Sequence, residues 1–210
     1  MKKATKQQSK KHNSRLVLQT IYQHEEMSRA DIARATKLTR PTVSSIVSKL
    51  IKKNLVVEAG LGVSAGGKRP LLLEIAYDAY QLISIDLGSH EFRGALSNLS
   101  GDITTRRTII TESKKAEDAL QLVFDLIDDL FEQATAPILG IGIGTPGVVN
   151  QKSGIIRQAI NLDWHDLPIR DVLMERYDCP VYVANDSHMA ALAEYTFGEQ
   201  HASRNLIVIK

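Results

Sequence analysis

The stretch "QLISIDLGSHEFRGALSNLSGDITTRRTII", Gln81 to Ile110, decides the fold of the larger part of this chain. It reads as three consecutive strands, "QLISIDLG", "EFRGALSNL" and "GDITTRRTII", joined by tight turns. The first apolar run ends in Asp86, and Gly88 opens a hairpin-like turn into the second. Downstream the pattern alternates. "KAEDALQLVFDLIDDLFEQA" (115–134) predicts an amphipathic helix with Ala116, Leu120, Val123, Phe124, Ile127, Leu130 and Phe131 on one face. "ILGIGIG" (138–144) predicts a buried strand, followed by the turn "TPGVVN" (145–150). "DLPIRDVLMERYD" (166–178) predicts a helix, "PVYVAN" (180–185) a strand, and "DSHMAALAEYTFG" (186–198) a helix. "NLIVIK" (205–210) predicts one more strand. Three antiparallel strands followed by alternating helices and strands make an α/β unit.

The composition narrows the function classes. The chain has 210 residues, 43% hydrophobic and 24% charged, as in ordinary globular proteins. No apolar run approaches the roughly 20 residues of a membrane span, and no apolar segment follows the charged N-terminus as a secretory signal requires. The single cysteine, Cys179, excludes an internal disulfide and a multi-cysteine zinc site. These features predict a cytoplasmic protein with no membrane partner. The net charge of +2 hides an asymmetry. Residues 1–70 hold 15 Lys+Arg against 4 Asp+Glu, a net of +11, and residues 71–210 hold 11 against 20, a net of −9. A basic third on an acidic remainder points either to polyanion binding, through counterion release, or to a solvated charge imbalance.

The basic third has its own pattern. "MKKATKQQSKKHN" (1–13) has five lysines and no acid, and is expected to be a disordered tail. Ser14 to Glu26 predicts a helix, with Leu16, Val17, Ile21 and Tyr22 on one face. Ser28 reads as an N-cap with Asp31 as a weak capping box, opening a short second helix, "SRADIARATK". Thr39 caps a third, "TRPTVSSIVSKLIKKN", with Pro41 in the first turn, where a missing N–H is harmless. Val43, Ile46, Val47 and Leu50 form its apolar stripe. The other faces carry Arg40, Thr42, Ser44, Ser45, Ser48, Lys49 and Lys52, and no acidic residue occurs from Ile32 to Val57. Serine and threonine are mediocre helix formers, whereas short hydroxyls flanked by Arg and Lys suit phosphates and base edges in a major groove. Two short helices, a tight turn and a hydroxyl-rich helix predict a helix-turn-helix; a generic three-helix bundle is the plainer reading. "NLVVEAG" and "LLLEI" then flank a glycine-rich tip and predict a wing. Gly66 and Gly67 let its backbone bend and approach closely, and Lys68 and Arg69 offer charge suited to a narrow minor groove.

Taken in order, "SRADIARATKLTRPTVSSIVSKLIKKNLVVEAGLGVSAGGKRPLLLEI", "IDLG", "GIGIGTPGVVN", "NLDWHDLPI" and "NDSHMAALAEYTFGE" resemble the ROK family (repressors, open reading frames, kinases), specifically its transcriptional repressor branch. The specificity lies in the ordered set, which runs from about Ser14 to the C-terminus. One departure is the tight turn before Thr39, where many relatives have glycine and this chain has Lys37, at some cost in strain. The resemblance implies a winged helix-turn-helix over 14–75, followed over 76–210 by the first lobe of an actin-like, ribonuclease H-like sugar-kinase fold. It places sugar ligands at Gly147, Asn161, Asn185 and Asp186. In the family's kinases the last carboxylate is the general base for the attacking sugar hydroxyl. Asp186 could instead cap the helix it opens, or do both.

Catalysis is not expected, and no residue is assigned a catalytic or metal-binding role. Family kinases have a phosphate loop close to D-x-G-G-T-K. This chain has Asp86-Leu87-Gly88-Ser89-His90-Glu91, where Glu91 would repel a triphosphate. The chain also ends at Lys210 in what reads as the first strand of a second lobe, so it is expected to be a fragment or a natural truncation. The remainder would carry the nucleotide site, further sugar ligands and the structural zinc of many full-length members; no cofactor is expected in this chain. The expected function is sequence-specific regulation, through double-stranded operator DNA, of sugar-metabolism genes. A homodimer would bind, with a sugar or sugar phosphate as effector. A ROK-type sugar kinase with an added N-terminal domain, and a lobe that docks another protein, are the alternatives.

Overall fold

Ser28 and Asp31 exchange hydrogen bonds across one helical turn: the Asp31 N–H donates to the Ser28 hydroxyl at 3.2 Å, and the Ser28 N–H donates to the Asp31 carboxylate at 3.1 Å. In the computed structural model, which describes residues 6–24, 26–63, 69–198 and 207, this capping box opens the second helix as the sequence predicts. The chain divides into two compact units, Met1–Ala79 and Tyr80–Lys210.

In the first unit, α1 (Lys6–Gln23) is followed by a two-residue strand, β1 (Met27–Ser28), then α2 (Arg29–Thr36) and α3 (Arg40–Lys52). A hairpin of β2 (Val56–Leu61) and β3 (Leu71–Ile75) completes it. β3 lies between β1 and β2, antiparallel to both, and a bulge at Glu58/Gly60 twists the hairpin. Val17 and Ile21 of α1, Ile32 of α2, Val43 and Val47 of α3, and Val56 and Leu73 of the hairpin are buried together. Helix α1 begins at Lys6, not Ser14, so residues 6–13 are helical where a disordered tail is expected. The physical reason is cooperativity: once Val17 and Ile21 anchor the helix, extending it through lysines and glutamines needs no new nucleus. Lys37 takes the left-handed conformation at φ 57°, ψ 22°, the backbone strain expected at this tight turn. The wing-tip residues Gly66, Gly67 and Lys68 lie outside the described residues; Arg69 is described and exposed.

The second unit is built on the three predicted antiparallel strands, β4 (Gln81–Leu87), β5 (Glu91–Ser97) and β6 (Ile103–Ile110). Helix α4 (Ala116–Glu132) leads to β7 (Ile138–Thr145), which pairs parallel with β4. A meander of β8 (Val148–Asn150), β9 (Ile155–Ala159) and β10 (Trp164–Leu167) follows, with a 3-10 turn at Ile160–Leu162. Then come α5 (Ile169–Arg176), β11 (Val181–Asn185), which pairs parallel with β7, and α6 (Asp186–Phe197). The main sheet runs β11-β7-β4-β5-β6. Ile83, Ile85 and Leu87 of β4, Phe92 and Leu96 of β5, and Ile141 and Ile143 of β7 pack against α4. The buried face of α4 is Ala119, Leu122, Val123, Leu126, Ile127 and Leu130, whereas Leu120, Phe124 and Phe131 of the expected stripe are only partly buried. Gly94 of β5 explains the rotation: a Cβ there would stand 2.7 Å from a Leu130 methyl and 3.0 Å from a Leu126 methyl, so leucines settle where glycine leaves room. Helix α5 starts three residues later than expected, because β10 runs on to Leu167, which pairs with Ile156, and Pro168 favours an extended residue before it. The expected strand at 205–210 lies, apart from Ile207, outside the described residues.

Candidate functional site

Thr39 sets the exposed face of α3. Its hydroxyl accepts from the Thr42 N–H at 3.4 Å and lies 2.9 Å from the Thr42 hydroxyl, and Pro41 occupies the first turn. With Val43, Ile46, Val47 and Leu50 buried, the most exposed line is the i, i+4, i+7, i+11 row of Pro41, Ser45, Ser48 and Lys52. Arg40 and Ser44 lie to one side of this row, and Thr42 and Lys49 to the other. The structure thus spreads the expected Arg40, Thr42, Ser44, Ser45 and Lys49 over one arc and adds Ser48 and Lys52 to its centre. Lys49, Thr42 and Ser45 also line a groove of about 360 Å³, whose other wall is Lys10, Asn13 and Ser14 of α1. Lys10 and Asn13 belong to the stretch expected to be a tail and Ser14 to the first turn of the expected helix, so only the lysines hint at this wall.

In the second unit, Gly147 sits at φ +87° in the turn after β7. A side chain there would overlap the Gln158 carbonyl oxygen, so the position requires glycine. Its own carbonyl accepts from the Asn185 amide at 3.0 Å. The Asn185 side-chain oxygen accepts from the N–H groups of Ser187 (3.1 Å) and His188 (3.2 Å). Asn185 is therefore the N-cap of α6, and the Asp186 carboxylate adds to it by accepting from the Ser187 N–H at 2.8 Å. Asp186, in the first turn of α6, lines a cavity of about 480 Å³ with Asp86, Gly144, Arg93 and Arg106.

Asn161 makes a different contact. It lies in the 3-10 turn, and its amide donates to the Ser89 hydroxyl at 2.8 Å. Ser89 is in the hairpin that closes with the Gly88 N–H donating to the Glu91 carbonyl at 3.0 Å. The Glu91 carboxylate, expected to repel a triphosphate, is paired with the Arg93 guanidinium, whose Nε donates to it at 2.7 Å. One hydrogen bond thus joins Asn185 to Gly147, and another joins Asn161 to the β4–β5 hairpin. Among the described residues no three His, Cys, Asp or Glu side chains cluster as metal ligands, so a zinc site finds no donor set among them. Nor is any helix among them long and apolar enough to cross a membrane.

These two units define a class: a winged helix-turn-helix protein carrying the first lobe of an actin-like, ribonuclease H-like sugar-kinase fold. The chain belongs to the ROK family, whose family model matches residues 82–210. Residues 13–69 match the MarR family. The chain is 38% identical over 206 residues to the xylose repressor of Caldicellulosiruptor bescii, covering 95% of this chain and 51% of that protein. It is 32% identical over 203 residues to the xylose repressor of Bacillus subtilis, covering 95% and 53%. A crystal structure of a ROK family transcriptional regulator, a homologue of the E. coli MLC protein, superposes with a TM-score of 0.80 at 25% identity, covering 90% of this chain and 49% of that one. The chain thus spans about half the length of the curated relatives it matches.

Proposed function

We propose that this chain is a sequence-specific DNA-binding transcriptional regulator, a repressor of sugar-metabolism genes, with a sugar or sugar phosphate as effector. The observation that carries the reading is the exposed arc of α3: hydroxyl and basic side chains on a buried apolar stripe, with no carboxylate from Ile32 to Val57. Such an arc fits a major groove, where short donors reach base edges and cations neutralise phosphates. Arg40, Thr42, Ser44, Ser45 and Lys49 enter that groove, and Gly66, Gly67, Lys68 and Arg69 of the wing approach the adjacent minor groove. Similarity to proteins named xylose repressors supports the regulator class. A homodimer places two such heads on paired half-sites. Gly147, Asn161, Asn185 and Asp186 receive the effector. Its closure of a complete cleft changes the presentation of the two heads, which requires different affinities for the open and closed states. The test is a mobility-shift titration of operator DNA with wild type, Arg40→Ala and Arg69→Ala. Each substitution is expected to weaken specific binding by at least tenfold; wild-type affinity in both variants overturns the docking.

One observation favours a second reading, a sugar kinase: Asp186 lines the same cavity as Asp86. A carboxylate so placed is the chemistry of a general base. ATP-dependent phosphorylation of hexoses and pentoses, measured for wild type and Asp186→Asn, separates the two. Turnover that depends on Asp186 would replace the regulator reading.

A further inference from the structure

One stripe of α1 changes character along its length. Val17, Thr20 and Ile21 are buried in the core of the first unit, and the same stripe continues toward the N-terminus as Ser14, Asn13 and Lys10. Spacings of three and four residues keep all of these on one side, so the first turns still face α3 after the apolar residues run out. There they meet Thr42, Ser45 and Lys49 across the groove of about 360 Å³. Lys10 and Lys49 both border this groove, and among the described residues neither forms an ion pair. No acidic residue occurs between Met1 and His24, or between Ile32 and Val57, to neutralise them. An anion in the groove would be attracted by both charges at once. Asn13 and Ser14 are also poor choices for a helix interior, but their amide and hydroxyl are good donors to phosphate oxygens.

We propose that this groove holds a backbone phosphodiester of the DNA duplex between Lys10 and Lys49, with Asn13 and Ser14 donating to its oxygens. The proposal rests on the DNA-binding reading above and extends it. A helix lying in a major groove about 12 Å wide has a phosphate chain along each flank. The groove runs along the Thr42–Lys49 flank of α3, where such a chain passes. The contact is to the backbone, so it adds affinity and fixes the angle of α3 without reading sequence.

The experiment uses the 210-residue chain. Fluorescence anisotropy measures binding to a 30-bp duplex of random sequence, and to a duplex enriched by this chain from a random library, across a series of salt concentrations. Lys10→Gln is expected to weaken both duplexes alike, by about three- to tenfold, and to lower the salt slope by about one, the signature of one lost phosphate contact. Lys10→Arg restores the slope, and Asn13→Ala weakens both duplexes without changing it. If wild type prefers the enriched duplex but Lys10→Gln leaves affinity and slope unchanged, this inference fails while the regulator reading stands. If wild type binds neither duplex, both fail. Inorganic phosphate is titrated in parallel: saturation that depends on Lys10, with no effect of Lys10→Gln on either duplex, would make this a small-anion site and overturn the proposal.

Discussion

Asn161 and Ser89, 72 positions apart, meet through a 2.8 Å hydrogen bond that ties the 3-10 turn to the β4–β5 hairpin. Thr111 fastens the same hairpin from the other end, its N–H donating to the His90 carbonyl at 2.9 Å and its hydroxyl to the Ser89 carbonyl at 3.3 Å. The β4–β5 hairpin is thus held by its own lobe. A ligand that takes the Asn161 N–H bonded to Ser89 must displace that hydroxyl.

The Ser89 contact is exposed on both sides, so its loss is expected to be local. Ser89→Ala should cost about 1 kcal/mol or less in global stability. It should also speed hydrogen exchange at the hairpin amides severalfold more than in α4. Equal acceleration in both places would show that the bond holds the whole lobe and not the hairpin alone.

Lys37 supplies a stability prediction. Its left-handed backbone costs an L-residue roughly 1–2 kcal/mol, part of which glycine regains. Lys37→Gly should raise stability by about 1 kcal/mol, read as a higher midpoint in chemical denaturation of the first unit. Lys37→Val, β-branched, should lower it. An unchanged midpoint in both would mean that the turn relaxes at no cost.

The local features were legible in the sequence and the long-range ones were not. Ser28, Asp31, Thr39 and Pro41 announce their caps because capping is decided within four residues. The strands of Gln81–Ile110 announce themselves by composition and turns. The α4 stripe was misplaced because that helix has leucine or phenylalanine on more than one side. Gly94, on a strand packed against it, leaves room for Leu126, which that stripe omits. The β8–β10 meander is hard to read because its strands are only three to five residues long, too short to show a period of two. The same holds for the candidate site. Gly147, Asn185 and Asp186 were found in two motifs, but Ser89 as the partner of Asn161, and α1 as the second wall of the α3 groove, exist only once the chain is folded.

Gly94 and Gly147 are both required, for different reasons that give different penalties. At Gly94 a methyl would meet the far ends of two leucines, which can shift, so Gly94→Ala should cost about 1–3 kcal/mol. At Gly147 it would meet backbone, from a positive φ, so Gly147→Ala should cost about 3 kcal/mol or more. Urea unfolding of the two variants checks the order; the reverse order would show that the Gly147 turn yields more easily than the α4 packing.

Tyr177 makes the stability of the second unit depend on pH at the alkaline end. Its ring stacks on Phe131 with centroids 5.1 Å apart, and its hydroxyl donates to the Asp128 carboxylate at 2.6 Å. Burial, reinforced by the Asp128 carboxylate, pushes the phenol above its ordinary value. A group whose pKa is raised in the folded state adds stability that is fully present below its unfolded value, near 10 for tyrosine, and is lost as pH rises through the folded value. Wild type should therefore lose stability above about pH 10 as the unfolded phenol ionises first. Tyr177→Phe should start about 1 kcal/mol lower at neutral pH, having lost the hydrogen bond to Asp128, and should decline less steeply above pH 10. Denaturation midpoints from pH 7 to 11 give both quantities. Parallel curves for the two proteins would mean that the phenol titrates alike in both states and that Asp128 contributes nothing to its protonation.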